Sequence, residues 1–554
     1  MTWSQEYLLF GQGLTVSALI AAIPIFTLLY LLGVRRNAAW IAGLAGLGVT
    51  FLLACFCYRM PVVPALSAIA NGAAFGLFPI SWIVFWAIVL YRVTVDTGKF
   101  EIIKDSIGSL TGNPRLQALL IAFAFGAFVE GAAGFGTPVA VAAAMLTGLG
   151  FSPFTAAAIC LLANTAPVAF GSIGIPVITL AGITGLPLNQ LSAMVGRVCA
   201  PISLFIPAYL IAAIGGRGAL LEVWPAALLA GATFAGMQFL ISNYVGPQLT
   251  DILSSLSALG ALIVLFRFWR PSPTPQTTAM DARMGVSAPV ANVNQTPGSA
   301  LRRNTAGEIC VAWTPYALLV VFVLLWGYKP FQGILNSVTV VIPWPYLHNV
   351  VNRMPPVLLK STPYGAMFNL NWLAASGTSC MFATLLSALF LRMPLAAFGK
   401  LLLAVAYQLI KPTVTVAVVL GMAFLMNYCG ATGTLGLAFA ATGVMFPFFS
   451  ALLGWLGVFL TGSDTSANAL FGSLQVVTAG HLGLSPVLMA ASNSSGGVMG
   501  KMISLQTIAV AAAATGMSVL DQSRLFRFTL KHSIVLASAV GLLVLMYAYV
   551  FHIG

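Results

Sequence analysis

The chain has 554 residues, of which 60% are hydrophobic and only 6% charged, and its formal net charge is +13. So little charge excludes a soluble fold, and apolar runs of about 20 residues match a bilayer core of about 30 Å. A membrane β-barrel is excluded as well, because its segments alternate in polarity over roughly 10 residues. The net charge is no sign of nucleic-acid binding, since the basic residues sit in loops between apolar runs, where the positive-inside rule puts them. The Cys residues (55, 57, 160, 199, 310, 380, 429) lie mostly inside apolar runs and lack metal or redox spacing, so they read as packing. MTWSQEYLLF has neither a basic leader nor a small-residue cleavage site, so the first helix is expected to be retained.

In chain order, residues 8–32 and about 38–57 read as helices flanking Arg35 and Arg36, followed by a loop to about 73 and a helix at about 74–95. In the polar stretch that follows, Phe100, Ile103, Ile107 and Leu110 recur at three and four residues, the mark of an interfacial helix. Apolar spans follow at about 191–214, 222–243 and 250–267. Residues 268–307, rich in Pro, Ser and Thr, read as a linker, and with its border carry Arg267, Arg270, Arg283, Arg302 and Arg303 against Asp281 before Glu308. The second half offers helices at 309–327, 370–391, 402–426 and 534–551, with a Pro-rich external region at 329–365 and an uncharged loop NYCGATGTLG.

Basic loops placed inside give a first half (1–267) that begins outside and ends inside. They give a second half (308–554) that begins inside and ends outside, joined by a cytoplasmic linker (268–307) with both termini external. Each half also carries an apolar stretch broken by Gly, Pro and polar residues. The first is FVEGAAGFGTPVA with NTAPVAFGSIGIPV, broken at 130–138 and 164–176; the second begins near 459. Broken backbone at membrane depth leaves N–H and C=O groups unpaired and survives only where it is buried in protein or lines a cavity. Matched breaks in two halves point to a transporter site. The expected fold is therefore an all-α polytopic membrane protein with two inverted-topology repeats, re-entrant hairpins and interrupted helices.

Candidate site residues follow from the breaks. Gly131, Gly134, Gly136, Thr137 and Pro138, with Gly171 and Gly174, read as re-entrant turns. Asn164, Thr165 and Ser172 in the first half, and Asn493, Ser494 and Ser495 in the second, are expected at helix interruptions, offering donors to an anion. Charges at membrane depth are functional candidates by default. Glu130 and Asp464 are the expected proton-coupling pair, and Asp464 is flanked by Ser463, Thr465, Ser466 and Asn468. Lys501 and Arg197 are the candidate partners of a carboxylate, and His481 a candidate proton relay at an interface. Lys411, beside Pro412, reads as lying near the cytoplasmic end of its helix. No metalloprotease, phosphate-loop or nucleophile-elbow motif occurs, so neither catalysis nor a cofactor is expected.

FVEGAAGFGTPVA (128–140), NTAPVAFGSIGIPV (164–177), WLGVFLTGSDTSANALF (455–471), LFRFTLKHS (525–533) and RMPPV (353–357) closely resemble the lactate permease family over the whole chain. The resemblance implies a bacterial cytoplasmic-membrane symporter that couples L-lactate, D-lactate and glycolate to protons, in a lipid-embedded fold of elevator type, with a homodimer left open. One departure stands out: where the family pattern has Ile-Ser-Pro-Gln-Ser, this chain has Ile503-Ser504-Leu505-Gln506-Thr507, which removes one signal for a helix break. A Na⁺-coupled carrier of the same architecture, an anion channel and an intramembrane enzyme are the competing readings. Discrete buried acids beside matched breaks favour a symporter over a channel.

Overall fold

The computed structural model describes residues 2–35, 37–134, 136–269, 271, 304–357 and 360–553. The expected linker therefore lies almost entirely outside the described residues. Hydrocarbon offers the backbone no hydrogen-bond partners, so each apolar run closes its own bonds as a helix. Among the described residues, eleven helices are long and apolar enough to cross a membrane, or twelve if one bent pair is a single span.

The first six helices are α1 (Leu14–Gly33), α2 (Ala39–Cys57), α3 (Val62–Phe75), α4 (Trp82–Asp96), α5 (Lys99–Gly108) and α6 (Pro114–Ala132). Residues 62–73, expected as loop, are helical: α3 and α4 form one 35-residue apolar span, broken where Phe78 leaves helical geometry ahead of Pro79. The amphipathic α5 buries Phe100, Ile103 and Ile107, as its spacing requires, whereas Leu110 falls beyond its end. Asn113 caps α6 by accepting from the Arg115 and Leu116 amides, and the buried Arg115 pairs with Glu222 at 3.0 Å.

Next come α7 (Thr137–Gly148), α8 (Pro153–Ala163), α9 (Gly171–Thr184), α10 (Leu188–Tyr244) and α11 (Thr250–Phe268). α7 folds back on the middle of α6, which makes a hairpin of the pair. α8 and the helical segment after it meet at a 65° bend. The expected spans 191–214 and 222–243 are the two arms of α10, which bends between Gly216 and Val223.

The second half comprises α12 (Ala306–Gly327), α13 (Lys329–Asn336), α14 (Ser376–Phe390), α15 (Leu395–Cys429), α16 (Ala431–Ala440) and α17 (Phe446–Thr461). It continues with α18 (Asp464–Leu482), α19 (Pro486–Lys501), α20 (Leu505–Thr515) and α21 (Val519–Tyr549). Three boundaries differ from expectation. α15 starts seven residues earlier than 402, the NYCGATGTLG stretch is a helix break at Gly430 rather than a loop, and the basic segment 524–533 is part of α21. Among the described residues, five short strands are β1 (Trp3–Ser4), β2 (Val340–Pro343), β3 (Val351–Arg353), β4 (Thr362–Pro363) and β5 (Met367–Leu370). β2 pairs antiparallel with β5, which delays the helix expected from 370 until Ser376, while β3 pairs with β1 on one side and β4 on the other.

Candidate functional site

Four chain breaks converge. At the first, α6 ends at Ala132, the chain leaves the helix at Ala133 and Gly134, and Gly136 (φ +82°) opens α7 with Thr137 and Pro138 in its first turn. Gly134 sits at φ +60° against Ser172, whose Oγ donates to the Ala133 carbonyl at 3.2 Å; a Cβ on Gly134 would lie 1.8 Å from that oxygen. At the second break Ser172, Ile173 and Gly174 all take left-handed geometry, with φ of 48°, 60° and 76°. Two of these residues carry a Cβ, and such backbone costs on the order of 1–3 kcal/mol per residue, so it persists only where its surroundings hold it. Here the neighbouring hairpin tip holds it.

At the third break Gly462 (φ +72°) ends α17, and Ser463 caps α18 by accepting from the Ser466 amide. Asp464 is thus the first residue of α18, where the helix dipole favours negative charge. At the fourth, α19 ends on Lys501, and Ser504 caps α20 by accepting from the Thr507 amide. The break expected to weaken without its Pro is therefore present, held by a Ser cap.

Glu130, Gly136, Ser172, Ser463, Asp464, Thr465, Ser466 and Lys501 together line one cavity of about 360 Å³. Small-molecule sites run from roughly 300 to 1,000 Å³. Lys501 Nζ donates to Glu130 Oε1 at 2.8 Å, and both residues are buried, with 9% and 2% of their surface exposed. Asp464 is 3% exposed. Its Oδ2 accepts from Ser494 Oγ at 2.5 Å and Asn468 Nδ2 at 3.3 Å, and its Oδ1 has no partner among the described residues. Asn468 Nδ2 also donates to the Pro176 carbonyl at 3.2 Å, tying α18 to the strained turn of the first half.

Several expectations change. Asn493, Ser494 and Ser495 do not interrupt a helix: they lie within α19, because the break falls at 502–504. Behind Asp464 they build a buried polar chain, in which Asn493 Nδ2 donates to Asn468 Oδ1 at 2.9 Å and Gln475 Nε2 donates to Asn493 Oδ1 at 3.1 Å. Ser495 accepts from Cys199 Sγ at 3.4 Å. Asn164 and Thr165 stand at the C-terminal end of α8, where carbonyls rather than amides are free. They line a narrow crevice shared with Lys501 and Thr507, and the Asn164 side chain has no partner there among the described residues.

Arg197 is outside the cavity. It donates to Asn243 Oδ1 at 2.9 Å and lines a separate groove with Tyr547. His481 is at the far end of α18, about 25 Å from Asp464 at 1.5 Å of rise per residue.

Lys411, Trp40, Gln506 and Thr507 line the cavity and were not anticipated there. The early start of α15 moves Lys411 from the end of a helix to its middle. A charge inside an apolar run was the available signal. Asp251 was also missed: it opens the span expected from 250 and was not counted among the charges at membrane depth, yet it is the second residue of α11 and is buried.

Many apolar spans around a cavity that broken helix ends furnish with charged and hydroxyl side chains define a membrane transporter. A family model described as L-lactate permease matches residues 17–551. The chain is 44% identical to the glycolate permease GlcA of Escherichia coli (strain K12), across 100% of this chain and 99% of that protein. It is equally identical to the L-lactate permease of Bacillus subtilis (strain 168), across 100% and 99%, and 42% identical to that of E. coli K12, across 99% and 98%. Among solved structures, Neisseria gonorrhoeae MtrF aligns at 12% identity with a TM-score of 0.45, over 88% of this chain and 84% of that one. The chain belongs to the L-lactate permease family.

Proposed function

We propose that this permease is a proton-coupled symporter of 2-hydroxy monocarboxylates, carrying L-lactate, and also D-lactate and glycolate, across the bacterial cytoplasmic membrane. The relatives' names supply the substrate class. The observation that carries the coupling is Asp464 lining the same small cavity as the Glu130–Lys501 pair. With Lys411 included, the ionised cavity holds two acids and two cations and is neutral. One added proton leaves it at +1, which is the condition for admitting an anion. Proton first and carboxylate second is then the favoured order. A lactate anion moving alone would work against the membrane potential at about 2.3 kcal/mol per 100 mV, and the proton removes that opposition.

In this reading Lys501 and the amides at the start of α7 and α18 receive the carboxylate, with Ser463, Thr465 and Ser466 near the α-hydroxyl. The two halves act as inverted repeats, in which α6–α7 and α8–α9 answer to α17–α18 and α19–α20. An elevator movement of these broken helices is supported by the tie from Asn468 to the Pro176 carbonyl, which lets them travel as one body.

The test is lactate uptake into proteoliposomes under a pH gradient and, separately, a Na⁺ gradient. The pH gradient alone should drive accumulation, and Asp464→Asn and Glu130→Gln should lose it while keeping lactate–lactate counterflow. Accumulation driven only by Na⁺, or retained in both variants, would overturn the assignment.

A further inference from the structure

We propose that Asp251 is a second proton-binding group of the transport cycle, a carboxyl that shares the Lys501 cation with Glu130. This rests on the symport reading above.

Asp251 is 1% exposed, and neither carboxyl oxygen has a hydrogen-bond partner among the described residues. It packs on α6 beside Glu130: a Cβ on the next residue, Gly131, would lie 2.8 Å from the Asp251 Cβ, so only glycine admits this approach. Glu130 from α6 and Lys501 from α19 are the charged groups that act on it across the packed elements, and the neutral Cys199 thiol of α10 also faces it.

The usual structural roles of a buried acid do not fit. Asp251 makes no ion pair among the described residues, since Lys501 Nζ is spent on Glu130 Oε1. It does not cap α11, because Leu249 holds the cap position and no amide reaches the Asp251 oxygens. A carboxylate without donors is costly in such surroundings, whereas a carboxylic acid costs much less.

Two acids against one cation therefore make a two-position store for a single proton. With Lys501 on Glu130, the proton resides on Asp251. If the Lys501 ammonium swings to Asp251, the Asp251 O–H bond breaks, an O–H bond forms on Glu130, and net charge is unchanged. The Glu130 Oε2 atom, also without a partner among the described residues, is the free position for that proton. Glu130 and Lys501 line the cavity whereas Asp251 does not, so a proton on Asp251 is held off the cavity surface while the substrate comes and goes.

The experiment uses the full chain in proteoliposomes, with lactate accumulation, proton flux and counterflow measured together. At one proton per lactate a one-unit pH gradient supports up to about tenfold accumulation. Asp251→Asn should fall towards none while its counterflow stays near wild type, and Asp251→Glu should restore accumulation with its pH dependence displaced. Asp251→Asn that accumulates like wild type with the same proton flux overturns the proposal, as does loss of counterflow and accumulation alike in a folded variant. Should Asp251→Asn not fold, an unchanged pH profile in Asp251→Glu overturns it and a displaced one supports it. A wild type indifferent to the pH gradient would overturn the symport reading as well, which separates the two failures.

Discussion

At the scale of single residues, the Glu130–Lys501 pair joins α6 of the first half to the end of α19 in the second. Removing one partner of a buried pair strands the other charge, at roughly 3–5 kcal/mol, whereas removing both is far milder. Lys501→Met should therefore lower the apparent Tm of the purified protein clearly, and Glu130→Gln with Lys501→Met should recover most of it without recovering transport. Equal Tm values for the single and double variants would mean the pair holds nothing together. Asn493→Ala tests a different role. It leaves Asn468 Oδ1 and Gln475 Nε2 short of a partner, at about 1–3 kcal/mol, so it should depress Tm while lactate affinity in the folded protein stays close to wild type. Isothermal titration with lactate checks this. Glu130, Asp464 and Lys501 were legible because charges are conspicuous in apolar runs. The place of Asn493 was not, because a polar residue inside a helix and one at its end look alike until the break is located.

At the scale of elements, the breaks were legible wherever Gly and Pro punctuate apolar sequence, as at 133–138 and 171–176. The left-handed geometry of Ser172 and Ile173 was not, since nothing in those side chains calls for it; the packing of one tip on the other imposes it. The fourth break shows the reverse case. With Leu505 where the resemblance leads us to expect Pro, the helix still restarts there, because Ser504 caps it and already has extended geometry (φ −63°, ψ 136°). Leu505 occupies the first helical position, where no intrahelical partner awaits its N–H. Leu505→Pro should thus be accepted and raise stability by about 0.4–1 kcal/mol through the unfolded chain. A fall in Tm would mean the α20 start relies on more than its cap.

At the scale of the whole molecule, the many membrane-spanning helices were legible from hydropathy, but their bounds were not: the spans expected at 191–214 and 222–243 are one bent helix. The helix expected from 74 belongs to an apolar span that already begins at Val62, and the one expected from 402 begins at Leu395. The topology reading makes a direct prediction. In a background without native Cys, Ser337→Cys, at the end of α13, should react with an impermeant thiol reagent on intact cells. Ser287→Cys, outside the described residues, should react only after cells are opened. Labelling at both sites in intact cells would contradict the inverted arrangement.

The pairing of β1 with β3 has a consequence for biogenesis. Trp3 and Ser4 find their partners at Val351 and Asn352, and Gln5 donates from Nε2 to the carbonyls of Asn427 and Tyr428 at 2.8 Å each. Trp3, Ser4 and Gln5 must therefore wait, unpaired, until several hundred more residues are made, on the order of tens of seconds at roughly 5–20 residues per second. Helices of the first half are committed to the bilayer before this clasp can close, so β1 acts as a late latch on an already inserted bundle. A bulky fusion placed ahead of Trp3 would obstruct that latch, and a fusion after α21 would leave it free.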